Sequence, residues 1–132
     1  MNIGDTVVRS HRITQRIVQQ FAKISTDFNP LHVDPEVARN SRFGKPIAHG
    51  ALIMSFISAI LGGELPGAGS IYLSQTAEFK APVFVGDTVT VSVTVEKIQD
   101  NGIITLRHEA HVKKRLTLEG YSVVLYGEQN LR

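Results

Sequence analysis

The run Asp27-Phe28-Asn29-Pro30-Leu31-His32 sets a carboxylate and an imidazole five residues apart, and Ala48-His49-Gly50 stands at the head of an apolar stretch. One of the two side chains can take a proton and the other return it, while the free N–H groups of a helix start can hold developing negative charge. Together they suit acid–base chemistry on a carbonyl compound.

Each residue also has a structural rival. Asp27 can end a helix or cap a turn, and His32 can be a histidine bonded to backbone. His49 can cap the helix that follows it. Gly50 can be glycine because backbone packs closely there, which is compatible with an oxyanion role. Asn29 either forms an Asx turn into Pro30 or binds a water. Asp34, ahead of Pro35 and Glu36, reads as a helix cap. A hydroxyl inside an apolar helix ordinarily returns to a carbonyl one turn back, which is the reading for Ser55.

The elements that must position these groups follow from periodicity. Thr6 to Ile13 is a first strand, and Thr14 caps a helix over Gln15 to Ile24 that buries Ile17, Val18, Phe21, Ala22 and Ile24. Asn29 precedes proline, so Asp27 to Val33 is expected to be an extended or irregular loop. A short helix then runs from Pro35 to near Asn40. Gly50 to Leu61 is apolar on nearly all sides, which predicts a core helix surrounded by other structure. After the glycine-rich connection Gly62 to Gly69 the period becomes two. Val89, Val91, Val93 and Val95 alternate with Thr90, Ser92, Thr94 and Glu96, and Asp100-Asn101-Gly102 turns into a strand with Ile104, Leu106, His108, Ala110 and Val112 on one face. With Ser70 to Lys80 and Leu118 to Tyr126 as further strands, the second half reads as a meander of four wrapped around the apolar helix, in the α+β class.

Composition narrows the function classes. A chain of 132 residues with 42% hydrophobic content has the size of a single domain, taken here as 1–132. Its formal net charge is +2, from 14 basic and 12 acidic residues mixed along the sequence, which leaves no nucleic-acid footprint. Without cysteine there is no disulfide, thiolate zinc site or thiol nucleophile. The Met1-Asn2-Ile3-Gly4-Asp5 start lacks a signal-peptide pattern, and Ala51 to Leu61 is too short to span a bilayer, so a cytoplasmic protein without a membrane segment is expected. The glycine-rich connection lacks the Lys-Ser/Thr ending of a phosphate loop. His32, Asp34 and His49 are a weak metal set, because two of them have better explanations, and no metal is expected. His11, His108 and His111 lie on strands and receive no role.

Three segments in order, Asp27-Phe28-Asn29-Pro30-Leu31-His32-Val33-Asp34, Pro46-Ile47-Ala48-His49-Gly50 and Phe79-Lys80-Ala81-Pro82-Val83-Phe84-Val85-Gly86-Asp87, closely resemble the MaoC-like hydratases. Within them the likeness is greatest to the (R)-specific enoyl-CoA hydratases that feed polyhydroxyalkanoate synthesis, and it covers nearly the whole chain. The resemblance implies a hot-dog fold, a homodimer, an acyl-CoA thioester as substrate and no cofactor. It matches Asp27 and His32 to the family's catalytic pair, Gly50 to its oxyanion N–H, and Ser58 to a residue on the core helix that supports the aspartate. Asn29 and His49 are supporting candidates. Thr26 stands where many family members carry glycine.

The implied reaction is reversible syn hydration of a trans-2-enoyl thioester to the (3R)-3-hydroxyacyl form. Rivals are a dehydratase acting on acyl carrier protein, a thioesterase, and a non-catalytic acyl-thioester binding or structural subunit. Arg42, Lys45 and the cluster Lys113-Lys114-Arg115 are alternative holders of the coenzyme A phosphates, and the sequence does not choose among them.

Overall fold

The computed structural model describes residues 1–132. In chain order the elements are β1 (Thr6–Arg12), α1 (Gln15–Ser25), α2 (Pro30–Val33), α3 (Pro35–Arg39), α4 (Gly50–Gly63), β2 (Ser70–Gln75), β3 (Glu78–Phe79), β4 (Thr88–Ile98), β5 (Ile103–Val112) and β6 (Arg115–Tyr126), followed by a 3₁₀ turn over Glu128–Leu131.

Strict alternation builds the sheet. Val89, Val91, Val93 and Val95 of β4 are at most 1% exposed. Their neighbours on β5, from Ile104 to Val112, alternate in the same way. The turn between β4 and β5 forms where Asp-Asn-Gly predicts it. Gly102 takes φ +88°, and Asn101 Oδ1 accepts the Ile103 N–H at 3.1 Å.

The strands form one antiparallel sheet in the order β1-β4-β5-β6-β2, with β3 also on β6. This curved sheet around α4 is the hot-dog fold of the α+β class. Leu52, Ile53, Met54, Ile57, Ile60 and Leu61 of α4 join the sheet valines in one apolar core.

Five expectations are corrected. The Asp27–Val33 loop contains a helical turn, α2, because Pro30 restrains only the residue before it: Asn29 is extended (φ −52°, ψ 125°), and Pro30 opens the turn at its first position. Ile24 is 83% exposed, since it stands two residues past the buried Ala22 and therefore on the opposite side of α1. The helix α4 is not covered all round, because Ala51, Ser55, Ser58 and Ala59 are exposed. The single strand expected over Ser70 to Lys80 is two strands, broken where Thr76 and Ala77 leave the ladder. Finally, β2 pairs with β6 and not with β4, so only β4-β5-β6 is a meander; β1 occupies the other side of β4.

Candidate active site

Local hydrogen bonds fix the loop that carries the acidic and imidazole groups. Thr26 ends α1 in the left-handed region (φ 63°, ψ 20°), which turns the chain back towards α4. Asp27 then receives the Asn29 N–H on Oδ1 at 3.1 Å, and Asn29 Oδ1 receives the Leu31 N–H at 3.1 Å. These successive Asx turns start α2 and place His32 in its last turn. Asn29 therefore shapes the loop. Asp34 caps α3, its Oδ1 accepting from Glu36 and Val37, and takes no part in the cluster.

The tertiary fold brings Asp27, His32 and His49 together, with one potential ligand atom of each within 4.8 Å of the others. His32 is 9% exposed. Its Nδ1 lies 2.7 Å from the Ile47 carbonyl, which can only accept, so the proton sits on Nδ1 and the lone pair on Nε2. Nε2 has no partner within the chain and keeps access to solvent. Burial pulls the His32 pKa below its ordinary value, with His49 acting in the same direction, against the opposing influences of the Ile47 carbonyl and Asp27. The ring is thus a neutral base at neutral pH.

His49 is 2% exposed and stacks on His32 with ring centroids 3.9 Å apart. It does not cap α4 with its side chain as expected; Nε2–H reaches back and donates to the Asp27 carbonyl at 3.0 Å. The ring ties the loop to the helix start, and its Nδ1 is buried without a partner. The two stacked rings are tilted by only 29°, which sets their in-plane lone pairs side by side and not towards one point, a poor arrangement for a shared cation.

Gly50 is the first residue of α4, so its N–H has no partner within the helix, and no loop or side-chain acceptor takes it. A Cβ here would stand 2.5 Å from the Phe79 ring, so glycine lets that ring lie against the helix start. His32, Gly50 and Phe79 line a largely apolar cavity of about 700 Å³, together with Ile47, Met54 and Pro82. A helix start with a free donor, a neutral imidazole and a nearby carboxylate at an apolar cavity can hold a water, move its proton and stabilise an oxyanion.

Ser55 returns its hydroxyl to the Leu52 carbonyl at 2.6 Å, as expected. Ser58 lies on the open face of α4 and makes no hydrogen bond to Asp27 within the chain. Sequence reasoning missed Ile47, whose backbone carbonyl selects the His32 tautomer; no residue type signals that role. It also missed Gln75 and Thr117, which reach the cavity from the sheet.

Residues 2–117 match the family model described as "MaoC like domain". The chain is 41% identical to the (R)-specific enoyl-CoA hydratase of Aeromonas caviae, over 97% of this chain and 92% of that protein. It is 40% identical to the (R)-specific enoyl-CoA hydratase of Rhodospirillum rubrum, over 92% and 85%. Among solved structures, the (R)-hydratase from A. caviae involved in PHA biosynthesis superposes with a TM-score of 0.93 at 43% identity, covering 96% of this chain and 98% of that one. An R-hydratase from Pseudomonas aeruginosa superposes at 0.92 with 31% identity, covering 97% and 83%. With this match along most of its length, the chain belongs to the MaoC-like family.

Proposed function

We propose that this protein is an (R)-specific enoyl-CoA hydratase, an enzyme adding water reversibly to trans-2-enoyl-CoA to give (3R)-3-hydroxyacyl-CoA. The observation that carries the reading is the approach of the Asp27 carboxylate and a His32 nitrogen to within 4.8 Å, a separation one water can bridge, with the cavity at His32. Neither group has a proton to offer that water, so it donates to both. The water oxygen bonds to C3 as His32 Nε2 takes one of its protons. The imidazolium, steadied by Asp27, then gives that proton to C2 on the same face. The Gly50 N–H and the positive end of α4 hold the thioester oxygen while it carries charge, a contribution typically of about 3 kcal/mol. Asn29 and His49 hold the loop in place, and no cofactor enters the scheme.

A homodimer is part of the proposal. It is supported by the edge strand β2, which leaves Ile71, Tyr72 and Leu73 exposed, and by the small-residue face of α4 that carries Ser58. Sedimentation of active protein should give a dimer; a fully active monomer would refute this part. We place the enzyme in the cytoplasm as a source of (3R)-3-hydroxyacyl-CoA for polyhydroxyalkanoate synthesis, the process named for the A. caviae structure. No helix is long and apolar enough to cross a membrane.

Dehydration of acyl groups on acyl carrier protein is the second reading. It draws on the 35% identity, over 67% of this chain, to a mitochondrial 3-hydroxyacyl-[acyl-carrier-protein] dehydratase of Arabidopsis thaliana. The deciding experiment follows loss of the conjugated thioester of crotonyl-CoA, with the product coupled to an (R)-specific hydroxyacyl-CoA dehydrogenase. Rapid loss with an (R) product is expected. Loss only with the carrier-protein substrate would favour the second reading, and no loss with either would refute both.

A further inference from the structure

The basic residues left undecided by the sequence are separated by the fold. Lys113 and Lys114 form the tip of the β5–β6 hairpin, with Lys113 at φ 56°, and neither forms an ion pair. Arg115 behaves differently. It opens β6, and its Nη2 donates at 3.0 Å to the carbonyl of Pro82, a residue of the cavity wall. Its guanidinium carbon sits 5.8 Å from the centre of the Phe84 ring, and Asp87 Oδ2 lies 3.7 Å from Nη2. Lys45 approaches the same ring from a different segment, with Nζ 4.7 Å from the centroid and no acidic partner.

Phe84 is tied to the cavity wall by its bridge to Ile47, and both Ile47 and Pro82 line the cavity that contains His32. Two segments distant in sequence thus deliver two cations to one aromatic ring at the rim. The guanidinium has five donors, and Nη2 alone is engaged by the contacts above, so it retains capacity for a second anion. Lys80 also reaches the cavity but is matched by Glu78 and Glu119. Lys45 carries uncompensated charge, and Arg115 shares only the single, longer Asp87 contact.

We infer that Lys45 and Arg115, set around Phe84, form the phosphate clamp of the substrate site, taking the phosphorylated adenosine end of a coenzyme A thioester while the acyl end lies in the cavity. This inference rests on the hydratase reading and specifies which end of the substrate meets which rim. A planar guanidinium and a mobile ammonium suit phosphate oxygens, the first by paired donors and the second as a point charge. Being exposed, the clamp weakens as salt rises.

The test compares crotonyl-CoA with crotonyl-pantetheine, which carries the same reacting group and no phosphate. Lys45→Glu and Arg115→Gln should each raise the KM for crotonyl-CoA relative to crotonyl-pantetheine about fivefold, and together about twentyfold, with kcat for the CoA substrate changing less than about twofold. Lys97→Glu, an equal charge change on β4, should leave the ratio of the two KM values unchanged. A parallel rise for both substrates, or none for either, would overturn the clamp.

A calorimetric titration with adenosine 3′,5′-bisphosphate reads the clamp without turnover. Wild-type protein should bind it, and Lys45→Glu should bind it several-fold more weakly. Absence of hydration in wild-type protein that nonetheless binds the bisphosphate through Lys45 would refute the hydratase reading and leave the clamp standing. Equal binding by both proteins would remove the clamp and leave the hydratase reading to the crotonyl-CoA assay.

Discussion

Of the three buried histidines, His32 and His108 are wired in opposite ways. His32, at the cavity, spends one nitrogen on the Ile47 carbonyl and keeps the other unpartnered and open to solvent. His108, fully buried in the sheet, spends both: Nε2–H donates to the Thr76 carbonyl at 2.9 Å, and the Ser122 hydroxyl donates to Nδ1 at 2.7 Å. The second ring holds the sheet where β2 breaks from its ladder. Gly120 is glycine because a Cβ there would collide with the Thr76 carbonyl. The Tyr72 hydroxyl extends this network, 3.1 Å from Ser122 Oγ and 2.5 Å from Gln75 Oε1. A histidine with every hydrogen-bonding atom matched rigidifies; one left with a free lone pair beside a cavity is available to substrate.

The contrast is broken most severely at the open ring. His32→Gln should lower kcat by on the order of 10²–10⁴ with little loss of stability, since a general acid–base group contributes about that much. Asp27→Asn should lower it by on the order of 10²–10⁴ as well, because it removes the charge that holds the water and steadies the imidazolium. Steady-state assay beside thermal unfolding of each variant checks this, and near-normal turnover in either would strike that residue from the mechanism. At the closed ring the expected pattern reverses. His108→Ala should cost about 3 kcal/mol of folding stability, because it opens a cavity, strands the Thr76 carbonyl and removes one partner of the Ser122 hydroxyl, while kcat per folded molecule stays near normal. Denaturant titration measures the first quantity and active-site titration the second.

Acid should affect the two rings through different readouts. Burial holds both below the ordinary histidine value of 6.5. The unfolded chain therefore binds more protons at mildly acid pH. The stability these rings contribute is complete above about 6.5 and is lost as pH falls through their lower folded values. In wild-type protein kcat/KM should decline over the same acid range as His32 becomes charged. His108→Gln should flatten the stability profile and leave the acid limb of kcat/KM in place; movement of that limb would mean His108 is coupled to turnover.

The smallest effect is expected at the hinge of the open site. Thr26 is a β-branched residue at φ 63°, where glycine is unstrained. Thr26→Gly should stabilise the fold by about 0.5 kcal/mol, because relief of strain slightly exceeds the extra freedom gained by the unfolded chain, and kcat should change by less than about twofold. Destabilisation would show that the threonine side chain contributes more than its backbone strain costs.

Much of the site was legible before any fold was known. Asp27 and His32 stand close in sequence, and Asn29, Pro30 and Asp34 set the intervening turns by local bonding, so their approach depends on short-range rules. The strand faces were legible for a similar reason, because a period of two assigns Val89 to Val95 and Ile104 to Val112 to the core without reference to partners. Family likeness supplied the reaction; the residues alone reached acid–base chemistry on a carbonyl compound.

Tertiary structure decided what no local rule encodes. The Ile47 carbonyl chooses the proton position on His32, and His49 reaches Asp27 across 22 residues, because backbone groups and long-range contacts leave no signature in residue type. The same holds for β2 beside β6, for the saturated His108, and for the separation of Arg115 from Lys113 and Lys114, all settled by where distant strands meet. The sequence by itself determined which groups can do chemistry and which faces must be buried, since composition and periodicity act locally. Only the packed chain decided which nitrogen stays free and which cations meet at the Phe84 ring, since those depend on neighbours that the sequence places far apart.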